Sequence, residues 1–124
     1  IETETGMPID ERLFIIHTGI TELVRKYRPD RAAIERLFFA RNTTTAMDVS
    51  KAVGVVLLAF RQHALSYREF TPTQVKQCLT GYARADKAQM QFMITKLFSL
   101  PEPPRPDDAA DALAIALCGA LAAH

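Results

Sequence analysis

Asp108 and Asp111 stand three residues apart in the closing stretch RPDDAADALAIALCGA, a segment otherwise rich in Ala, Leu and Ile. At helical spacing they share a side with Ile115 and Cys118, and the alanines would let such a helix approach a sheet closely. A carboxylate on an inward stripe needs a partner, because an unpaired buried charge is costly. The structural alternative is a helix start in which Asp107 or Asp108 caps the first turn and suits its positive dipole end. That alternative leaves Asp111 unexplained. Glu35 raises the same question from a strand, since it interrupts RAAIERLFF, an apolar run suited to a strand buried in a parallel sheet. A salt bridge to a neighbouring arginine would account for it without chemistry. If the end of that strand faced the start of the last helix, three carboxylates would converge and raise one another's proton affinity unless cations intervened. Hard divalent ions bound by oxygen are the remedy, and such a site suits two-metal hydrolysis of DNA or RNA phosphodiesters, with ions roughly 3.5–4 Å apart.

The elements that must position these acids can be read along the chain. IETET at the start is β-like. PIDERLFIIHTGITELVRKYRPD places Leu13, Ile16, Ile20, Leu23 and Tyr27 at helical spacing, introduced by Pro8 and Asp10 and closed before Pro29. After the Glu35 strand, a helix is predicted from Thr43 or Thr44 to about Gln62, with so little polar surface in its second half that it must be covered on more than one side. LSYREF alternates like a strand. TPTQVKQCLTG begins a helix with Thr71 as cap and Pro72 at the first position, and Gly81 suits its end. A further helix starts near Asp86, and PEPPRP forces an extended break before the last one. Helices and strands alternate, which predicts an α/β fold with a largely parallel sheet and no second domain.

Composition narrows the partners. A chain of 124 residues, 48% hydrophobic, suits one compact domain. Fifteen Lys plus Arg against fourteen Asp plus Glu leave a formal charge of +1, so any DNA site has to be a local basic patch. Cys78 and Cys118 stand at unrelated spacing, without a CxxC or a histidine cluster, which argues against zinc and for a reducing, cytoplasmic setting with no membrane span. His17, His63 and His124 are scattered and read first as ordinary helix-surface or terminal residues.

The blocks AAIERLFFARN, TPTQVKQCLTGYARADKAQMQFMITKLFSL and DDAADALAIAL, in this order and spacing, resemble the RuvC family of bacterial Holliday-junction resolvases, and the likeness covers nearly the whole chain. The resemblance implies a ribonuclease-H-like α/β fold with a mixed central sheet flanked by helices. It also implies a homodimer that binds four-way junction DNA and nicks two strands symmetrically in recombination and repair. It would use Mg²⁺ or Mn²⁺, two ions per active site, and work with a RuvA/RuvB-type branch-migration complex. By position, Glu35 matches the family's strand glutamate and Asp108 and Asp111 its paired helix acids, which would be the metal ligands. Lys76 and Lys87 match lysines near the scissile phosphate. Phe38 matches an aromatic that stacks on an unpaired base near the junction, its structural alternative being core packing with Phe39. Arg36, Arg41, Asn42, Lys51, Arg84 and Lys96 are available to touch phosphates, which position a substrate without reading its sequence.

The family pattern is not matched everywhere. Its first strand, with a metal-binding Asp followed by Pro-Gly, has no counterpart ahead of Ile1, so residues 1–124 are expected to be a single nuclease domain whose N-terminal strand lies upstream. SKAVG at positions 50–54 stands where members commonly read Gly-Gln-Ala-Arg-Gly, with Val53 in place of the arginine. The alternatives from other classes are a catalytically inactive junction-binding module of the same fold, and a related nuclease acting on RNA or flaps.

Overall fold

A computed structural model of the chain describes residues 1–36 and 43–122. Phe38, Arg41 and Asn42 lie outside the described residues. In order, the elements are α1 (Ile9–Tyr27), β1 (Arg31–Glu35), α2 (Thr43–Gln62), β2 (Ser66–Phe70), α3 (Pro72–Thr80), α4 (Lys87–Leu97) and α5 (Asp107–Leu121). They gather into two compact units, one holding α1 and α2, the other β1, β2 and α3 to α5, with the division at the first residue of each strand. No helix among the described residues is long and apolar enough to cross a membrane.

In the first unit α1 packs on α2. Leu13, Ile16 and Ile20 are half-buried as the apolar spacing requires, whereas Leu23 and Tyr27 near the helix end are exposed. Arg28 ends α1 in the left-handed region, at φ 46°, and donates its N–H to the Val24 carbonyl at 2.9 Å. The core of this unit is Ala59, Phe60 and Leu65. The other face of α2 remains open: Met47 and Leu58, eleven residues and close to three turns apart, are 59% and 53% exposed. The β-like opening run forms no strand; residues 1–8 are extended or turn.

The second unit is built on β1 and β2, a two-stranded sheet among the described residues. The Arg36 N–H, just past the end of β1, donates to the carbonyl of Phe70, the last residue of β2, at 2.8 Å. Two C-terminal ends paired in this way make the strands parallel. Glu35 is the final residue of β1 and not an interior one, a difference that takes it out of the sheet's middle and puts it at the C-terminal edge, where parallel strands open onto clefts.

The helix starts follow local chemistry. Thr71 and Gln74 form a capping box for α3, with Pro72 in the first turn, and Asp86 and Gln89 form another for α4. Gly81 closes α3 at φ 75°, a conformation glycine adopts without strain. By contrast, α5 starts after Pro106, and neither Asp107 nor Asp108 caps it; both sit inside its first turn. Proline presets the extended entry, so the acids are carried into the helix, where they still favour its positive end.

Phe70, Val75, Leu79, Ile94, Ala110, Ala114 and Cys118 form the core that joins β2, α3, α4 and α5. The small residues of α5 let it lie against β1: a Cβ placed on Gly119 would come within 2.9 Å of the Ala33 Cβ. Gly119→Val should therefore destabilise the protein by about 1–3 kcal/mol through overpacking, even though valine is the better helix former. Chemical denaturation checks this, and Ala33→Gly in the same chain should recover part of the loss. Full stability in the single variant would show that the approach is looser than described.

Candidate active site

One cleft of about 310 Å³ lies wholly within the second unit. Its walls bring together Glu35 from the end of β1, Lys76 from α3, Asp86 and Lys87 from the start of α4, and Asp111 from α5, over a floor that includes Met90 and Ile94. Each side chain arrives by a local cause. The strand ends at Glu35, and the two capping boxes set the first turns of α3 and α4 beside the cleft. The alanine stripe of α5, buried at Ala110 and Ala114, leaves Asp111 on its margin.

Glu35 is half-buried, and burial first, then the nearby charge of Asp111, pushes its carboxyl above the ordinary value of 4.5. The local alternative for this residue, an ion pair with the adjacent arginine, is not taken. Arg36 turns instead to Glu69, Nε to Oε2 at 3.0 Å. Two acids that repel across a cleft, with no arginine or lysine in ion-pair contact with either among the described residues, fit a role that needs negative charge.

Asp111 is exposed, where the sequence pattern had put it on an inward stripe. At 3.6 residues per turn it sits at the edge of the buried stripe, and Asp108 lies about 60° farther round. Asp108 is exposed and does not line the cleft. Of the three expected carboxylates, Glu35 and Asp111 line the cleft and Asp108 stands just outside its walls, its charge still reaching Lys87; no group of three or more His, Cys, Asp or Glu placed to hold a metal ion is found among the described residues. The donor set is nonetheless the right kind for a hard cation, since both facing groups are carboxylates and their repulsion would be relieved by one.

Lys87 donates to Asp107 Oδ2, and Gln91 Nε2 donates to Asp107 Oδ1 at 3.4 Å. The hydrogen bond and charge of Asp107 raise the Lys87 pKa, with smaller contributions from Asp111 and Asp108. This tie between the start of α4 and the start of α5 was missed by sequence reasoning, which weighed Asp107 only as a cap. Twenty residues separate it from Lys87, and no local pattern announces such a pairing. Asp86 was likewise read as a helix start alone, and it also lines the cleft.

The other basic candidates are dispersed. Lys76 lines the cleft. Arg84 is exposed in the loop leading to Asp86, and Arg36 is exposed but engaged with Glu69. Lys96 is exposed, with its ammonium 5.3 Å from the centre of the Phe92 ring. Lys51 is exposed on α2, in the other unit. The cysteines are free. Cys118 donates to the Val75 carbonyl at 3.8 Å, and burial, with Cys78 beside it, pushes its thiol up to about 12, so it offers no nucleophile at neutral pH.

Comparison with known proteins bears on the fold and the family. The family model described as crossover junction endodeoxyribonuclease RuvC matches residues 1–119. The crossover junction endodeoxyribonuclease RuvC of Desulforamulus reducens is 48% identical over 120 residues, covering 97% of this chain and 74% of the relative. That of Alkaliphilus metalliredigens is 50% identical over 124 residues, covering all of this chain and 76% of the relative. Among solved structures, Thermus thermophilus RuvC superposes with a TM-score of 0.89 at 38% identity, over 97% of this chain and 72% of that one. The same protein in complex with a Holliday junction substrate gives 0.91 at 38% identity, over 97% and 73%. Structure and sequence together identify the fold as that of RuvC, ribonuclease-H-like and α/β, and the chain belongs to the RuvC family of crossover junction endodeoxyribonucleases.

Proposed function

We propose that this protein is a structure-specific endonuclease that resolves four-way DNA junctions by hydrolysing phosphodiesters. The observation that carries the reading is the cleft whose walls bring together Glu35, Asp111, Lys76 and Lys87, in a chain of the RuvC family. A solved relative is described in complex with a Holliday junction substrate, which supports the same substrate here.

Glu35 and Asp111 would hold a divalent magnesium or manganese ion, with Asp108 as the third carboxylate from the preceding turn. Two ions held there would supply activation of a water and charge for the leaving oxygen. The chain's own residues do the rest. Lys76 and Lys87 attract the phosphate and orient it across the cleft. Asp107 and Gln91 hold the start of α5 against α4, which keeps Lys87 beside the catalytic acids. Met90 and Ile94 form an apolar floor that limits water beneath the reacting group. Arg84, Arg36 and Lys51 lie on exposed surface and would contact phosphates farther along the arms, joined by Arg41 and Asn42, while Phe38 would stack on an unpaired base.

We take the chain as one nuclease domain, supported by a family match that spans both units. The open face of α2, with Met47 and Leu58 exposed, is the surface we assign to a second copy, since a two-fold arrangement would set paired cuts at fixed separation. A RuvA/RuvB-type branch-migration complex and a cytoplasmic location complete the reading, the latter supported by a DNA substrate and two free thiols.

The test is a mobile four-way junction mixed with the protein and Mg²⁺. Paired nicks of like polarity are expected; binding without any cleavage would turn the reading toward an inactive junction-binding module. Replacing Lys76 or Lys87 by alanine should weaken junction binding and lower the salt slope of log Kobs by about one each. A slope that does not change in either variant would remove both lysines from the phosphate contacts.

A further inference from the structure

On the other side of the first turn of α4 lies a second groove, of about 410 Å³, whose walls include Tyr82, Phe92 and Met93. Tyr82 and Phe92 are 54% and 58% exposed, although both are large and apolar. Neither hangs loosely. The Tyr82 N–H donates to the Thr80 hydroxyl oxygen at 3.0 Å, that hydroxyl donates to the Lys76 carbonyl at 2.7 Å, and the Gly81 N–H returns to Gln77 at 2.8 Å. Phe92 stands on a helix with the Lys96 ammonium over its ring. Two of its polar residues are engaged locally: Asp86 and Gln89 satisfy each other's backbone through the α4 capping box, at 2.8 Å in both directions. What the groove offers a ligand is flat apolar surface with cationic charge beside it.

That chemistry suits an aromatic ring carried on an anion. Asp86 lines both this groove and the catalytic cleft, so the two adjoin at the start of α4. Lys87 lies on the cleft side, Lys96 on the groove side, and Arg84 is in the loop between α3 and α4. Proteins that hold single strands combine such a positive track with aromatic platforms for successive bases. We propose that the groove receives an unpaired nucleobase, stacked on Phe92 and Tyr82, from a DNA strand whose neighbouring phosphate lies in the cleft. This site is separate from Phe38, and it rests on the nuclease reading above. It would favour substrates that present an unstacked base next to the bond to be cut.

The probe is 2-aminopurine, whose fluorescence is quenched on stacking, placed unpaired at the crossover of a four-way junction and, separately, within a single-stranded tetranucleotide. Wild-type protein should quench both. Phe92→Ala should abolish the quench and weaken tetranucleotide binding by about fivefold or more. Phe92→Trp should restore both, and Phe14→Ala, at an aromatic 72% exposed in the other unit, should change neither. If the wild type binds neither DNA, the nuclease reading itself fails and takes this one with it. If it binds both while Phe92→Ala quenches and binds as before, the groove proposal alone is overturned. Loss of self-association in Phe92→Ala with unchanged DNA binding would give the groove to a second copy, and would overturn it equally.

Discussion

Asp111→Asn should abolish junction cleavage while the protein still folds and still binds the junction. The carboxylate is exposed, makes no ion pair among the described residues, and contributes negative charge to a cleft that already repels it. Its removal costs the fold nothing in packing. On the proposed reading, what is lost is one of two facing carboxylates that would hold a divalent ion, whose contribution to the transition state is several kcal/mol, so a fall of roughly 100- to 10,000-fold in the cleavage rate is expected. Single-turnover cleavage and gel-shift binding on the same junction separate the two effects, and joint loss of binding and cleavage would mean that Asp111 is structural. The substitution also has a signature without metal. Asp111 is one of two causes that raise the Glu35 carboxyl above 4.5, so asparagine should lower the Glu35 midpoint toward the value left by burial. A carboxyl raised in the folded state binds more protons folded than unfolded, and its stabilising effect is lost as pH rises through that raised midpoint. Relief of this repulsion in Asp111→Asn favours the folded chain at neutral pH, less so as Glu35 protonates at lower pH, and is opposed by loss of the Asp111 attraction to Lys87, so the Glu35 midpoint is the direct readout. Carbon-detected NMR titration of Glu35 across pH 4–7 checks the sign. An unchanged midpoint would mean that the two acids do not interact.

Ile94→Ala carries the largest expected cost in stability. Ile94 is 1% exposed, packed in the core that joins β2, α3, α4 and α5, and it also lines the cleft. Truncation to alanine leaves a cavity beneath the active site and should cost about 2–5 kcal/mol, against about 0.5–1.5 for Ile94→Val. For a chain of this size the larger loss corresponds to a fall of roughly 10 °C or more in Tm. Because α4 supplies Lys87 and Gln91, which hold Asp107, a loosened α4 should also release the start of α5 and reduce cleavage more than DNA binding. Calorimetry measures the first effect, and hydrogen exchange at the amides of α5 the second. A Tm shift below 2 °C would place Ile94 outside the packed core.

The helices were legible because their signals are local. Pro72 after Thr71, Gly81 after α3, Asp86 before α4 and the spacing of Leu13, Ile16 and Ile20 each act within a turn of chain, and each behaved as its chemistry requires. The two strands were also legible, as short apolar or alternating runs between turns. Where a signal needed a neighbour it failed: IETET reads as a strand but forms none among the described residues, and Asp107 reads as a cap but the proline before it carries the entry to α5. The candidate acids could be singled out from residue type and order, since a glutamate in an apolar strand and aspartates on an alanine helix are out of place in a core.

The tertiary structure decided which of those acids meet. Helix rotation puts Asp111 at the cleft and Asp108 outside its walls, Arg36 goes to Glu69 and leaves Glu35 without that partner, and Asp107 takes Lys87 from twenty residues away. Composition, local spacing and order determined the elements and the kind of chemistry, because these depend on residues within a few positions of one another. The partners of each charge depend on how α5 packs against β1 and α4, where a stripe of small residues sets the approach. That packing is a property of distant segments brought together, and no single stretch of the chain contains it.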